Sequence, residues 1–218
     1  VRELYTLIEE IPQNELDIRI YFTRKKQNGT YQSYSPTISS DLQKDLKEII
    51  TNALENEFDT EQIPFSPVGT LNNCIEIDSV NNVNNFKDVI RSMDEENVNR
   101  GGINSDEIQK LNFYCVKIGI PEQGDAFFFR RVTKFRKFNK GIIGRFISND
   151  FEKVQSNLLG IDPSIDIVVF KDEMLIIHHV AFERIFSMQD QYYEKAQETL
   201  NKIEEAGKIQ NFDEFKSD

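Results

Sequence analysis

The sequence predicts an α+β protein: an N-terminal α/β subdomain with a hairpin and a helix, then an antiparallel β-meander domain followed by C-terminal helices. Three observations carry this expectation. Residues 40–54 keep their apolar side chains on one helical face. Residues 111–178 hold short aromatic and β-branched runs separated by turn residues. From Val180 the pattern turns helical. Elements grouped by type along a chain, rather than alternating, mark the α+β class.

At 218 residues the chain can form one large domain or two small ones around a sizeable core. The expected division is 1–105, the N-terminal subdomain, and 106–218, the β-rich domain with C-terminal helices. Two cysteines, Cys74 and Cys115, are too few for a disulfide framework. They point to reduced thiols and a cytoplasmic setting. No apolar run approaches the roughly 18–20 residues of a membrane span, so direct membrane insertion is not expected. The chain starts at Val1 without Met, which fits one domain of something longer.

Residues 2–11 read as a short helix ended by Pro12. Leu16–Phe22 reads as a half-buried strand, and Asn28-Gly29 predicts a type I′ turn into a return strand over Thr30–Tyr34. Arg19, Arg24, Lys25 and Lys26 make this hairpin basic, as lysines kept on a solvated turn would. In the helix of residues 40–54, Leu42, Leu46, Ile49, Ile50 and Ala53 share a face, with Ser39 or Ser40 as N-cap. Residues 60–72, with Pro64, Pro67 and Gly69, read as a connection. A short strand over Cys74–Ile77 and a helix near Phe86–Met93 sit in an asparagine-rich stretch that runs to Asn104.

Leu111–Ile120 is a strand, Pro121–Asp125 a turn, and Ala126–Thr133 its partner. Gly141–Ser148 and Phe151–Val154 form a further pair. Asp166–Phe170 and Met174–His178 form another hairpin. Helices follow over Ala181–Phe186 and Gln191–Ala206.

The functional signal is charge. No acidic residue lies between Ala126 and Asn149, while Arg130, Arg131, Lys134, Arg136, Lys137, Lys140 and Arg145 fall inside that window. All 37 Asp/Glu lie outside it, and the whole chain carries −11. In a strand, Phe128, Arg130, Val132 and Lys134 share one face and Phe127, Phe129, Arg131 and Thr133 the other. The phenylalanines anchor the strand, and charge projects from its far end. A rigid sheet delivering Arg forks and Lys point charges suits a phosphate backbone. Pairing of these bases with acidic surface, inside the protein or on a partner, is the competing use, and an edge kept soluble by its charge is a third.

Other chemistry has less behind it. Gly141–Gly144 matches the spacing of a KH clamp but lacks its flanking helices. His178 and His179, as neighbours on a strand, point to opposite faces. No HxxxH, CxxC or HExxH spacing accompanies them, so neither metal nor cofactor is expected. An atypical metal-dependent nuclease around Asp162, Asp166 and Glu173 stays as an alternative without its usual Glu-x-Lys partner. Walker-A and Gly-x-Ser-x-Gly motifs are absent, leaving enzymatic activity unsupported.

Three stretches, Phe127–Arg131, Asp162–Ile176 and Ala181–Phe186, make residues 111–190 resemble the KwaB-like family of the Kiwa anti-phage defence system. Residues 1–105 carry no such resemblance. Arg130, Arg131, Asp166, Phe182 and Glu183 sit on the matching motifs. The resemblance implies a cytoplasmic DNA-binding protein that forms homo-oligomers and meets a membrane-embedded partner. It also implies a chain longer at the C terminus. The combined expectation is sequence-independent, backbone-directed DNA binding through residues 130–145, with an interaction module for an acidic partner or a phage protein as the rival.

Overall fold

The computed structural model describes residues 1–67, 73–132, 144–147, 150–153, 160–188 and positions 192, 193, 197 and 200–202. The class is α+β, built as a mostly antiparallel eight-stranded sheet with helices on both faces. Its strands are β1 (Asp17–Lys25), β2 (Tyr31–Tyr34), β3 (Glu61–Pro64), β4 (Cys74–Ser79), β5 (Phe113–Ile120), β6 (Gly124–Arg131), β9 (Ile167–Phe170) and β10 (Glu173–Ile176). They lie in the order β2-β1-β5-β6-β9-β10-β4-β3. A separate antiparallel pair, β7 (Gly144–Ile147) and β8 (Asp150–Lys153), comes between β6 and β9 in the chain.

The meander β5-β6-β9-β10 forms the centre of the sheet, and the N-terminal residues supply both of its sides. Residue 105 thus falls between two stretches of chain that contribute strands to one sheet. Helix α1 (Arg2–Glu10) and helix α2 (Ser40–Asn56) cover one face, packing Leu4, Ile8, Leu46 and Ile50 against Ile18, Val116 and Phe128. Helix α3 (Phe86–Met93) and helix α5 (His179–Phe186) cover the other, where Val89, Phe182 and Phe186 meet Phe113, Phe129 and Ile167. A one-turn helix, α4 (Ser105–Ile108), precedes β5. Each fully buried Leu or Phe of these clusters removes apolar area worth about 1.5–3 kcal/mol.

Alternation along β6 follows the expected pattern. Ala126 and Phe128 join the α1/α2 side, while Phe127 and Phe129 join the α3/α5 side. Ser39 caps α2, its hydroxyl accepting from the Leu42 amide at 3.2 Å.

Two local expectations are corrected. The β1–β2 turn is not type I′: only Gly29 has positive φ, at 83°. The Gly29 amide donates to the Lys26 carbonyl at 3.0 Å and the Lys26 amide to the Thr30 carbonyl at 2.8 Å, as in a type I turn closed by a glycine bulge. Asn28 stays out of the left-handed region, and its Oδ1 accepts from the Thr30 amide and hydroxyl. Residues 60–72 are also more than a connection, because they include β3, which pairs parallel to β4. Pro64 is tolerated there because β3 is an edge strand.

Candidate nucleic-acid interface

Strand β6 ends on Arg130 and Arg131, and the two are used differently. The Arg130 side chain, 18% exposed, turns inward to two aspartates. Its Nε donates to Asp162 Oδ1 at 2.9 Å, its Nη2 to Asp162 Oδ2 at 3.1 Å, and its Nη1 to Asp166 Oδ1 at 2.5 Å. Asp166, 2% exposed, also accepts the Arg131 amide on Oδ2 at 2.7 Å. Its own amide donates to the Phe129 carbonyl, and its carbonyl accepts from the Ile177 and His178 amides. A single aspartate thereby ties the end of β6 to both ends of the β9–β10 hairpin. Asp162 is held in turn by the Ser164 amide on Oδ1.

Burial alone would raise the Asp166 pKa. The His178 ring, the Arg131 amide and Arg130 overcome it and hold the carboxyl below the usual aspartate range. Burial likewise opposes the charge on Arg130, and Asp162 and Asp166 more than restore it.

The two histidines stand at the start of α5, not on a strand as the sequence reading had them. His178 Nδ1 lies 3.1 Å from Asp166 Oδ1, with the side chain 56% exposed. His179 is 9% exposed, its Nδ1 2.5 Å from Glu76 Oε2 of β4 and its Nε2 3.5 Å from Glu183 Oε1. Phe65 stacks on the His179 ring at 5.5 Å. The two rings serve different carboxylates and share no site.

A line of hydrogen bonds runs along this end of the sheet. The Val132 amide donates to the Asn112 carbonyl, and Asn112 Oδ1 accepts from the Lys25 amide at 2.6 Å. Lys25, Arg131 and His178 therefore belong to one rim, joined by exposed Lys26 at the hairpin turn. Lys25 Nζ donates to a neutral partner, the Ser187 hydroxyl, at 2.6 Å. The Arg131 guanidinium makes no ion pair among the described residues. Lys134, Arg136, Lys137 and Lys140 lie outside the described residues, on the chain that continues from this rim. Arg145 is on β7, where the backbone alone is described.

The carboxylates weighed for a nuclease do not converge. Asp162 and Asp166 are occupied by Arg130, while Glu173 opens β10 opposite Phe170, at the other end of that hairpin. Among the described residues no group of three His, Cys, Asp or Glu side chains is arranged to hold a metal ion. The pairing of Asp166 with His178 escaped the sequence reading. The hairpin expected over Asp166–Phe170 and Met174–His178 already set its outer ends opposite one another, which was the available signal.

The part of the chain that builds this rim from β5 onward is also the part that other proteins share. Residues 108–218 match the family model described as Kiwa protein KwaB-like. The chain belongs to that family. Membership makes it a component of Kiwa anti-phage defence, and Arg130, Arg131, Asp162, Asp166 and His178 all lie inside the matched residues. No curated protein and no solved structure matches the chain. Among the described residues no helix is long and apolar enough to cross a membrane.

Proposed function

We propose that this KwaB-like protein binds DNA as its part in anti-phage defence, through the sheet end where β6 stops and the basic segment of residues 130–145 that leaves it. The observation that carries the reading is the placement of charge. Lys25, Lys26, Arg131 and His178 share the rim from which the acid-free stretch departs. Arg130 positions this surface by locking the end of β6 onto Asp166, while Arg131, Lys134, Arg136, Lys137, Lys140 and Arg145 supply phosphate contacts. Lysines and arginines dominate the segment, so binding is backbone-directed and independent of sequence. The same reading takes the protein as a cytoplasmic homo-oligomer that works with a membrane-embedded partner.

Gel-shift titration of the purified chain with duplex DNA, single-stranded DNA and RNA across a salt series tests this. Retention of duplex DNA of unrelated sequences, weakening linearly on a log–log salt plot, is expected. Absence of retention at low salt would leave the basic stretch as a docking surface for an acidic protein.

A further inference from the structure

The His178 side chain is paired with Asp166, although it stands at the start of a helix. It is the N-cap residue of α5, yet its side chain makes no capping hydrogen bond. Asp166 already has Arg130 and the Arg131 amide, so a third partner that is more than half exposed adds little to stability. What the arrangement does accomplish is to fix the ring. Nδ1 faces the Asp166 carboxylate at 3.1 Å, which leaves Nε2 as the nitrogen without a carboxylate. The side chain is 56% exposed, at the rim where Arg131 ends β6.

We propose that His178 is a phosphate contact of this rim that engages the polyanion as an imidazolium, so that binding takes up a proton. The proposal rests on the DNA-binding reading above and adds a residue and a regulation to it. The charged groups facing His178 are Asp166, from the segment before β9, and Arg130, from β6. Its neighbour His179 turns away to Glu76 of β4 and Glu183 of α5. Asp166 raises the His178 pKa, against burial and Arg130, and the Ile165 carbonyl adds to the rise. The charged ring is thus present at mildly acidic pH and is lost as pH climbs through this raised value. The chain has only two histidines, and His179 is enclosed, so His178 is the imidazole placed to give such a dependence.

The test is fluorescence-anisotropy titration of the full chain with one duplex oligonucleotide at fixed salt, from about pH 6 to pH 9 around the histidine range, repeated for His178→Gln and His178→Arg. The parent should lose affinity as pH rises, by at most about tenfold per pH unit for one linked proton. His178→Gln should bind more weakly at pH 6, with a flat pH profile and a salt slope lower by about 0.9. His178→Arg should restore affinity and keep the profile flat, a result that a purely structural histidine would not produce. Binding by the parent with no pH dependence, or a profile in either variant that matches the parent's, overturns the role of His178 while DNA binding stands. If the parent retains no DNA at pH 6, the DNA-binding reading fails and takes this proposal with it. Circular dichroism of both variants checks folding, and the arginine variant decides the matter should the glutamine variant unfold.

Discussion

The two ends of the central sheet carry different sets of charged residues. At one end, where β1, β6 and β10 finish, stand Lys25, Lys26, Arg131 and His178, with the basic segment continuing from β6. At the other, the β5–β6 turn presents exposed Glu122 and Asp125, the β9–β10 turn presents Asp172 and Glu173, and β1 begins at Asp17. Ion pairs occur at both ends but in different surroundings. Asp166 at the basic end is 2% exposed and saturated by Arg130, the Arg131 amide and His178. Asp125 at the acidic end is 42% exposed and pairs with Lys117 at 2.7 Å. Burial gives the first pair a structural role, and exposure leaves the second one to surface electrostatics.

Removing one carboxylate from each end is the strongest way to break this contrast. Asp166→Ala leaves Arg130 buried with half of its partners gone, and should cost about 3–5 kcal/mol in urea or thermal unfolding. A smaller effect is expected from pH. The Asp166 pKa is depressed, so its contribution is complete above the ordinary aspartate value of about 3.9 and is lost as pH falls through the folded-state value. Acid unfolding of Asp166→Asn, compared with the parent, should show a shallower loss of stability below that pH. An equal loss would assign the acid sensitivity to other carboxylates. The smallest effect belongs to Asp125→Ala, about 0–1 kcal/mol for an exposed pair. If Asp125→Ala and Asp166→Ala destabilise equally, burial is not what separates the two ends.

Much of the scaffold was legible in the sequence because its signals are local. Helix α3 falls on Phe86–Met93 as the pattern placed it, and the faces of β6 follow from strict alternation of Phe127, Phe128 and Phe129. What escaped depends on distant pairing. Nothing near Glu61–Pro64 announces a parallel partner at Cys74–Ile77, and a proline there argues for a loop. The sheet order could not be read either, since β1 pairs with β5 far away in the chain, as in Asp17 opposite Gly119. At the candidate site the sequence set out the basic residues but not the division of labour between them. Arg130 and Arg131 are chemically identical neighbours, and the positions of Asp162 and Asp166 make one a strut and leave the other without an ion pair among the described residues. His178 was hidden for a similar reason, because its carboxylate partner lies twelve positions away on the opposite arm of a hairpin.

The central claim is that the basic end of the sheet, with the segment leaving it, contacts DNA. It is tested most directly by joint charge reversal at Arg136→Glu, Lys137→Glu and Lys140→Glu, measured by gel shift across a salt series. A control carries Glu122→Gln and Asp125→Asn at the acidic end. The reversal should abolish duplex retention with the unfolding midpoint unchanged, while the control binds with the parent's salt slope, each phosphate contact being worth about 0.9 in that slope. A folded reversal variant that binds duplex DNA as tightly as the parent, with the same slope, would contradict the claim.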